Sequence, residues 1–222
     1  MYGLTKEEEN ILKKLDTPHK IQIFLDNIPR NFEPNGDTCL SPRKVLRENR
    51  CHCIEGAMLA YTAFLVQKKK AFILDLTANS NDFDHVIVIF KEEGYWGAIS
   101  KSNYAVLRYR EPIYKTIREL VMSYFNEYID KAGNKTLRSY SKPINLKKIG
   151  YKWITAEEDV WEVPNLLIET KHYPVLNKKQ IRNLKKADPI EVVSSEMKVW
   201  NPNAERLIEG YSQKYRIIIK RD

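Results

Sequence analysis

Two residues able to do chemistry sit where the backbone would sharpen their reactivity. Cys53 opens a helical pattern, with Cys53, Ala57, Ala60, Tyr61 and Phe64 spaced along one face of a 3.6-residue period. A thiol at a helix N-terminus meets unpaired backbone N–H groups and the positive end of the helix dipole, and both favour the thiolate. His85 opens the apolar run Val86-Ile87-Val88-Ile89-Phe90. Together, a thiolate and an imidazole are nucleophile and base for attack on a carbonyl carbon. Taken singly they have plainer readings: free cysteine is often a small, inert core residue, and His85 can be a hydrogen-bonded core histidine. Cys51-His52-Cys53, with Cys39 and His85 elsewhere, are residue types that zinc accepts. The C-x-C pair has no second pair to match it, so no metal and no other cofactor is expected.

The elements that must position these residues follow from capping and period. Thr5-Lys6-Glu7-Glu8 is a capping-box pattern for a short helix to about Leu15. Thr17-Pro18 and Ser41-Pro42 open two more, with proline in the first turn. Residues 29–40 are expected as an irregular loop, and the cysteine helix runs to about Gln67, ending on Lys68-Lys69-Lys70. The period then changes to two. Strands are expected over 71–76, 85–90 and 95–99, with a further one over 105–109 and a hairpin at Glu93-Gly94. His85 to Phe90 is apolar on both faces, which marks a covered central strand. Pro112 is expected to open a long helix carrying Ile113, Ile117, Leu120, Val121, Tyr124 and Tyr128 on one stripe. Helices, then an antiparallel meander, then a covering helix make an α+β fold.

Lys131-Ala132-Gly133-Asn134-Lys135 marks an expected boundary, giving a core over residues 1–130 and an α+β extension over 131–222. The extension holds Trp153, Trp161 and Trp200, an expected helix over 177–186 and an expected strand over 215–220. It also carries the charge. Residues 1–130 have as many acidic as basic side chains, so the whole net charge of +8 lies in residues 131–222. Such asymmetry suits either a solubilising surface or an anionic partner. No apolar run reaches the ~18 residues of a membrane span, and the acidic N-terminus is unlike a signal peptide. Three cysteines, two of them one residue apart, are not a disulfide framework, which points to a reducing cytoplasm.

Cys53-Ile54-Glu55-Gly56-Ala57, then Asp84-His85-Val86, then Tyr95-Trp96-Gly97-Ala98-Ile99-Ser100 together resemble the core of transglutaminase-like proteins, a superfamily with a papain-like fold. The resemblance covers roughly residues 41–105. It implies a helix-opening cysteine packed on an antiparallel sheet, with Cys53 as nucleophile and His85 as base. Cys51 suits the nucleophile slot less well, because Glu55 rather than a small residue lies four positions on. The activity implied is acyl transfer or amide hydrolysis on a peptide or other amide-containing substrate. The chain departs from the pattern at the third member, where the family has aspartate and this chain has Ser100. Asn103, three residues on, is the other candidate to orient the imidazole. Asp84 is a poor one, since neighbours along a strand point to opposite faces. Glu55 is expected to pair with Arg50 or Arg47, or to turn toward the site. Two rival functions remain at this level. One is a protein-interaction scaffold with an inactive site. The other is nucleic-acid binding through Lys147, Lys148, Lys178, Lys179, Arg182, Lys185 and Lys186 with Tyr140, Tyr151 and Trp153, although no nucleic-acid motif accompanies them.

Overall fold

The computed structural model describes residues 1–34 and 36–198. The expected strand over 215–220 and Trp200 lie outside the described residues. Four helices come first: α1 (Lys6–Lys14), α2 (Pro18–Asn27), α3 (Pro42–Glu48) and α4 (Cys53–Val66). Thr5, Thr17 and Ser41 cap the first three, each hydroxyl accepting the backbone N–H three residues on. In α4 every residue after Cys53 is buried. A helix apolar all round belongs at the centre of a core, and α1, α2 and α3 all pack against it.

The chain then forms β1 (Ala71–Ala78), β2 (His85–Glu92), β3 (Tyr95–Ile99), β4 (Arg110–Tyr114), α5 (Ile117–Phe125) and β5 (Leu137–Ser141). The last elements among the described residues are α6 (Glu162–Glu169), β6 (His172–Pro174), α7 (Lys178–Arg182) and α8 (Pro189–Ser195). Among the described residues six strands make one antiparallel sheet in the order β4-β3-β2-β1-β5-β6. The fold is therefore α+β. As expected of a covered strand, β2 divides its side chains between two cores: Val86, Val88 and Phe90 pack with α4, and Ile87 and Ile89 pack with α5. Glu93 and Gly94 both have positive φ, 49° and 90°, which suits the primed turn of a two-residue hairpin. Among the described residues no helix is long and apolar enough to cross a membrane.

Three expectations need correction. Residues 105–107 form a 3-10 turn rather than a strand. Pro112 does not open a helix but lies within β4. The strand is the sheet edge, where proline's missing N–H leaves no ladder bond broken. Gly97 on β3 lets it approach, since a Cβ there would stand 2.9 Å from Arg110 O and 3.0 Å from Pro112 Cα. The helix begins instead at Ile117, where Thr116 and Glu119 form a capping box. The sheet itself runs across residue 130. β5 pairs with β1, and Ile144, Trp153, Ile154, Val163 and Leu167 join the core around α4. The expected helix over 177–186 is the shorter α7, Lys178–Arg182, a single turn of helix.

Candidate functional site

The N-terminus of α4 is pinned before the helix starts. Cys51 N–H donates to Pro29 O and Asn31 N–H donates to Cys51 O, both at 3.1 Å. Below this bridge lies Glu55, whose side chain has no solvent exposure. Its carboxylate accepts from Leu40 N–H and His52 N–H at 2.8 Å each, Thr38 Oγ at 2.9 Å and Asn31 Nδ2 at 3.2 Å. The expected pairing with arginine does not occur. Arg50 bonds Glu48 at 2.8 Å and Asn31 at 2.7 Å, and Arg47 reaches Glu157 at 2.8 Å.

Gly56, next along, is fixed by space. A Cβ there would lie 2.5 Å from Lys101 Cβ and 3.0 Å from its Cγ. Lys101 cannot swing aside, because its buried ammonium caps the end of α2 by donating to Leu25 O at 2.8 Å and to Ile28 O. Gly56→Ala is therefore expected to destabilise the fold by about 1–3 kcal/mol, the usual cost of forcing atoms into a packed interior. Urea unfolding measures it; an unchanged midpoint would mean that α4 and the Lys101 loop separate easily.

His85, the first residue of β2, is buried. Its Nε2 lies 2.5 Å from Ser100 Oγ, and Ser100 Oγ donates to Leu107 O at 2.7 Å. A carbonyl brings no proton, so the single hydroxyl proton of Ser100 lies on the bond to Leu107. The proton between Ser100 and His85 therefore belongs to Nε2, which leaves Nδ1 for the thiol. Ser100 is held in turn by Gln22 of α2. That amide accepts from Ser100 N–H at 3.0 Å and donates to Ser100 O at 2.9 Å.

Cys53 is partly exposed and lines one cleft with His52 and His85. Burial pushes its thiol up, but the two imidazoles outweigh this and hold it well below the ordinary value. His52 is pulled down by burial, then lifted further by its hydrogen bond to Cys53, by the charges of Cys53 and Glu55 and by Thr38 O, ending at about 9. Its Nε2 faces only oxygens: Thr38 O at 3.1 Å, and Glu33 and Glu55 carboxylates at 3.4 Å each. Nε2 therefore carries a proton, and with its pKa raised to about 9 His52 is cationic at neutral pH. By contrast Cys39 and Cys51 are buried, and burial first of all pushes each thiol up to about 12.

Cys53, His52 and His85 open onto a cleft of about 250 Å³, which Phe83, 87% exposed, also lines. Cys53, His85, Ser102 and Asn103 all line it. Neither a family model nor a curated protein matches this chain. Of the residues singled out from sequence, Cys53 and His85 share that cleft, and Ser100 bonds His85. Asn103 borders the same cleft but has no bond to His85, whose Nε2 is taken by Ser100. Asp84 accepts from Ala78 N–H at 2.8 Å and Asp82 from Thr136 Oγ at 2.6 Å, so both fasten the β1–β2 loop. Among the described residues no group of three or more His, Cys, Asp or Glu is placed to hold a metal ion. From sequence His52 was considered only as a residue type that zinc accepts, and Gln22 was not singled out. His52-x-x-Glu55 has the spacing of a capping box and could have drawn attention to His52. Gln22 lies 78 residues from Ser100 and carries no local signal.

Proposed function

We propose that this chain is a cysteine-dependent enzyme of transglutaminase-like type with a papain-like core, catalysing acyl transfer or amide hydrolysis. The observation that carries the reading is the placement of Cys53, at the start of α4, and of His85, bonded to Ser100, on one cleft, with the imidazoles beside the thiol favouring thiolate. The Cys53 thiolate attacks an acyl carbonyl, forming a C–S bond while the carbonyl π pair moves onto oxygen. Collapse expels the amine, which takes a proton from Nδ1 of His85, and a thioester remains. His85 next removes a proton from water or from an acceptor amine. That nucleophile forms the new acyl bond, and thiolate leaves. Ser100 supplies by hydrogen bonding the ring orientation that aspartate gives in the resembling family, though without its negative charge. His52, cationic at neutral pH, supports the thiolate electrostatically and is not needed as a proton carrier. The three free thiols suit a reducing, cytoplasmic setting.

Incubation with p-nitrophenyl acetate tests the reading. The expected product is an acetyl thioester on Cys53, found by peptide mapping, with a burst of nitrophenolate that Cys53→Ala abolishes. If Cys53 stays unmodified while surface lysines acetylate slowly, the enzyme reading falls and an interaction scaffold takes its place.

A further inference from the structure

Among the described residues two buried side-chain atoms have no hydrogen-bond partner, Nδ2 of Asn103 and the hydroxyl of Tyr128. The residues are 8% and 2% exposed, and both line the Cys53 cleft. They reach it from different elements, Asn103 from the loop that also carries Ser100, and Tyr128 from just beyond α5. A buried polar atom without a partner costs about 1–3 kcal/mol, so such atoms are few in native folds and ask for an explanation. Nothing in the packing supplies one, because removing either polar group would relieve that cost. A reacting carbonyl oxygen in the cleft would pair both.

We propose, on the basis of the acyl-transfer reading above, that Asn103 and Tyr128 are the side-chain donors that hold the oxyanion formed when Cys53 attacks. The Cys53 backbone N–H, in the first turn of a fourteen-residue helix and so without an intrahelical acceptor, is the third donor. As the thiolate adds, one electron pair passes from sulfur into the C–S bond and the carbonyl π pair goes to oxygen. Negative charge therefore leaves Sγ and arrives where these N–H and O–H groups can bond it. Tyr128 keeps its proton for this task, since burial first, and then the charges of Cys53 and the neighbouring aspartates, raise its phenol well above the ordinary value. Asn103, a candidate to orient His85, thus serves substrate instead.

Two reagents separate this role from a structural one. Methyl methanethiosulfonate is attacked by Cys53 at its thiomethyl sulfur and expels methanesulfinate, with no tetrahedral acyl oxyanion formed; p-nitrophenyl acetate forms one. In Asn103→Ala, acetylation is expected to fall about 100-fold, the usual cost of one oxyanion donor. Tyr128→Phe should lose roughly tenfold, the equivalent of one neutral hydrogen bond. The thiosulfonate rate should stay within about twofold in both, by the same reasoning. Tyr128→Phe should also melt no lower than wild type, because it deletes an unpaired buried hydroxyl. Asn103→Leu, close in volume, stands in if Asn103→Ala unfolds. Unchanged acetylation, or both rates falling together, overturns the proposal while a reactive wild-type Cys53 leaves the enzyme reading standing. A wild-type Cys53 that titrates as an ordinary thiol removes both.

Discussion

Replacing His52 and His85 together by alanine is expected to return Cys53 to an ordinary or raised thiol pKa and to lower its alkylation near pH 6.5 by 100-fold or more. Each imidazole contributes a hydrogen bond and a charge to the thiolate, and burial opposes both. An opposite charge at this range shifts a pKa by about 1–3 units. Each single variant should therefore lose about tenfold at that pH by the same principle. The sign is fixed by ionisation. A raised thiol pKa means less thiolate at neutral pH, and the thiolate is the species that reacts. In the wild type the iodoacetamide rate should be nearly flat from pH 7 to 9, where a thiol of pKa about 8.5 gains roughly 20-fold. The two single variants should differ above pH 9. His52 loses its proton near there, so His85→Ala, which leans on His52 alone, should show a rate change through that region that His52→Ala lacks. If His52→Ala behaves as wild type throughout, His52 is only a cap for α4 and His85 acts alone.

How much of this arrangement the sequence revealed depended on how local each cause was. Cys53 and His85 were legible because each begins an element, and element starts follow from capping, period and apolar runs within a few residues. The covered strand β2 was legible for the same reason. Pro112 misled because proline suits two places, the first turn of a helix and the edge of a sheet. The choice between them depends on β3, a separate element whose Gly97 makes room. Thr116-x-x-Glu119 was the better local signal for α5. The continuity of the sheet past residue 130 was not legible, because a turn with glycine and charged residues marks a loop, while the return of β5 beside β1 is a long-range pairing with no local mark. Ser100 was flagged as the point of departure from a family pattern. That it bonds His85 follows from Leu107 and Gln22, which hold it from 7 and 78 residues away.

Glu55→Ala should be the most damaging single change to the fold around the site, destabilising by about 3–5 kcal/mol, as when one partner of a buried charged network is deleted. The donors it would strand come from separate pieces of chain. Asn31, Thr38 and Leu40 belong to the irregular loop over 29–40, and His52 is the cap of α4. That loop has few ladder bonds of its own, so the carboxylate supplies what secondary structure supplies elsewhere. Glu55→Gln tests charge against shape. It keeps one acceptor oxygen but turns an NH₂ toward groups that are themselves donors, so it should recover only part of the stability. Both variants should also raise the Cys53 titration, since the Glu55 charge helps keep His52 cationic. Urea unfolding and the alkylation pH profile read the two effects separately. A Glu55→Ala protein within about 1 kcal/mol of wild type, the range of surface substitutions, would show that the loop and α4 hold each other without the carboxylate. A low Cys53 titration surviving in that protein would assign the thiolate to His85 and the helix terminus. The predicted outcome is instead that both are lost together, because one buried carboxylate orders the loop, caps the helix and balances the imidazolium beside the nucleophile.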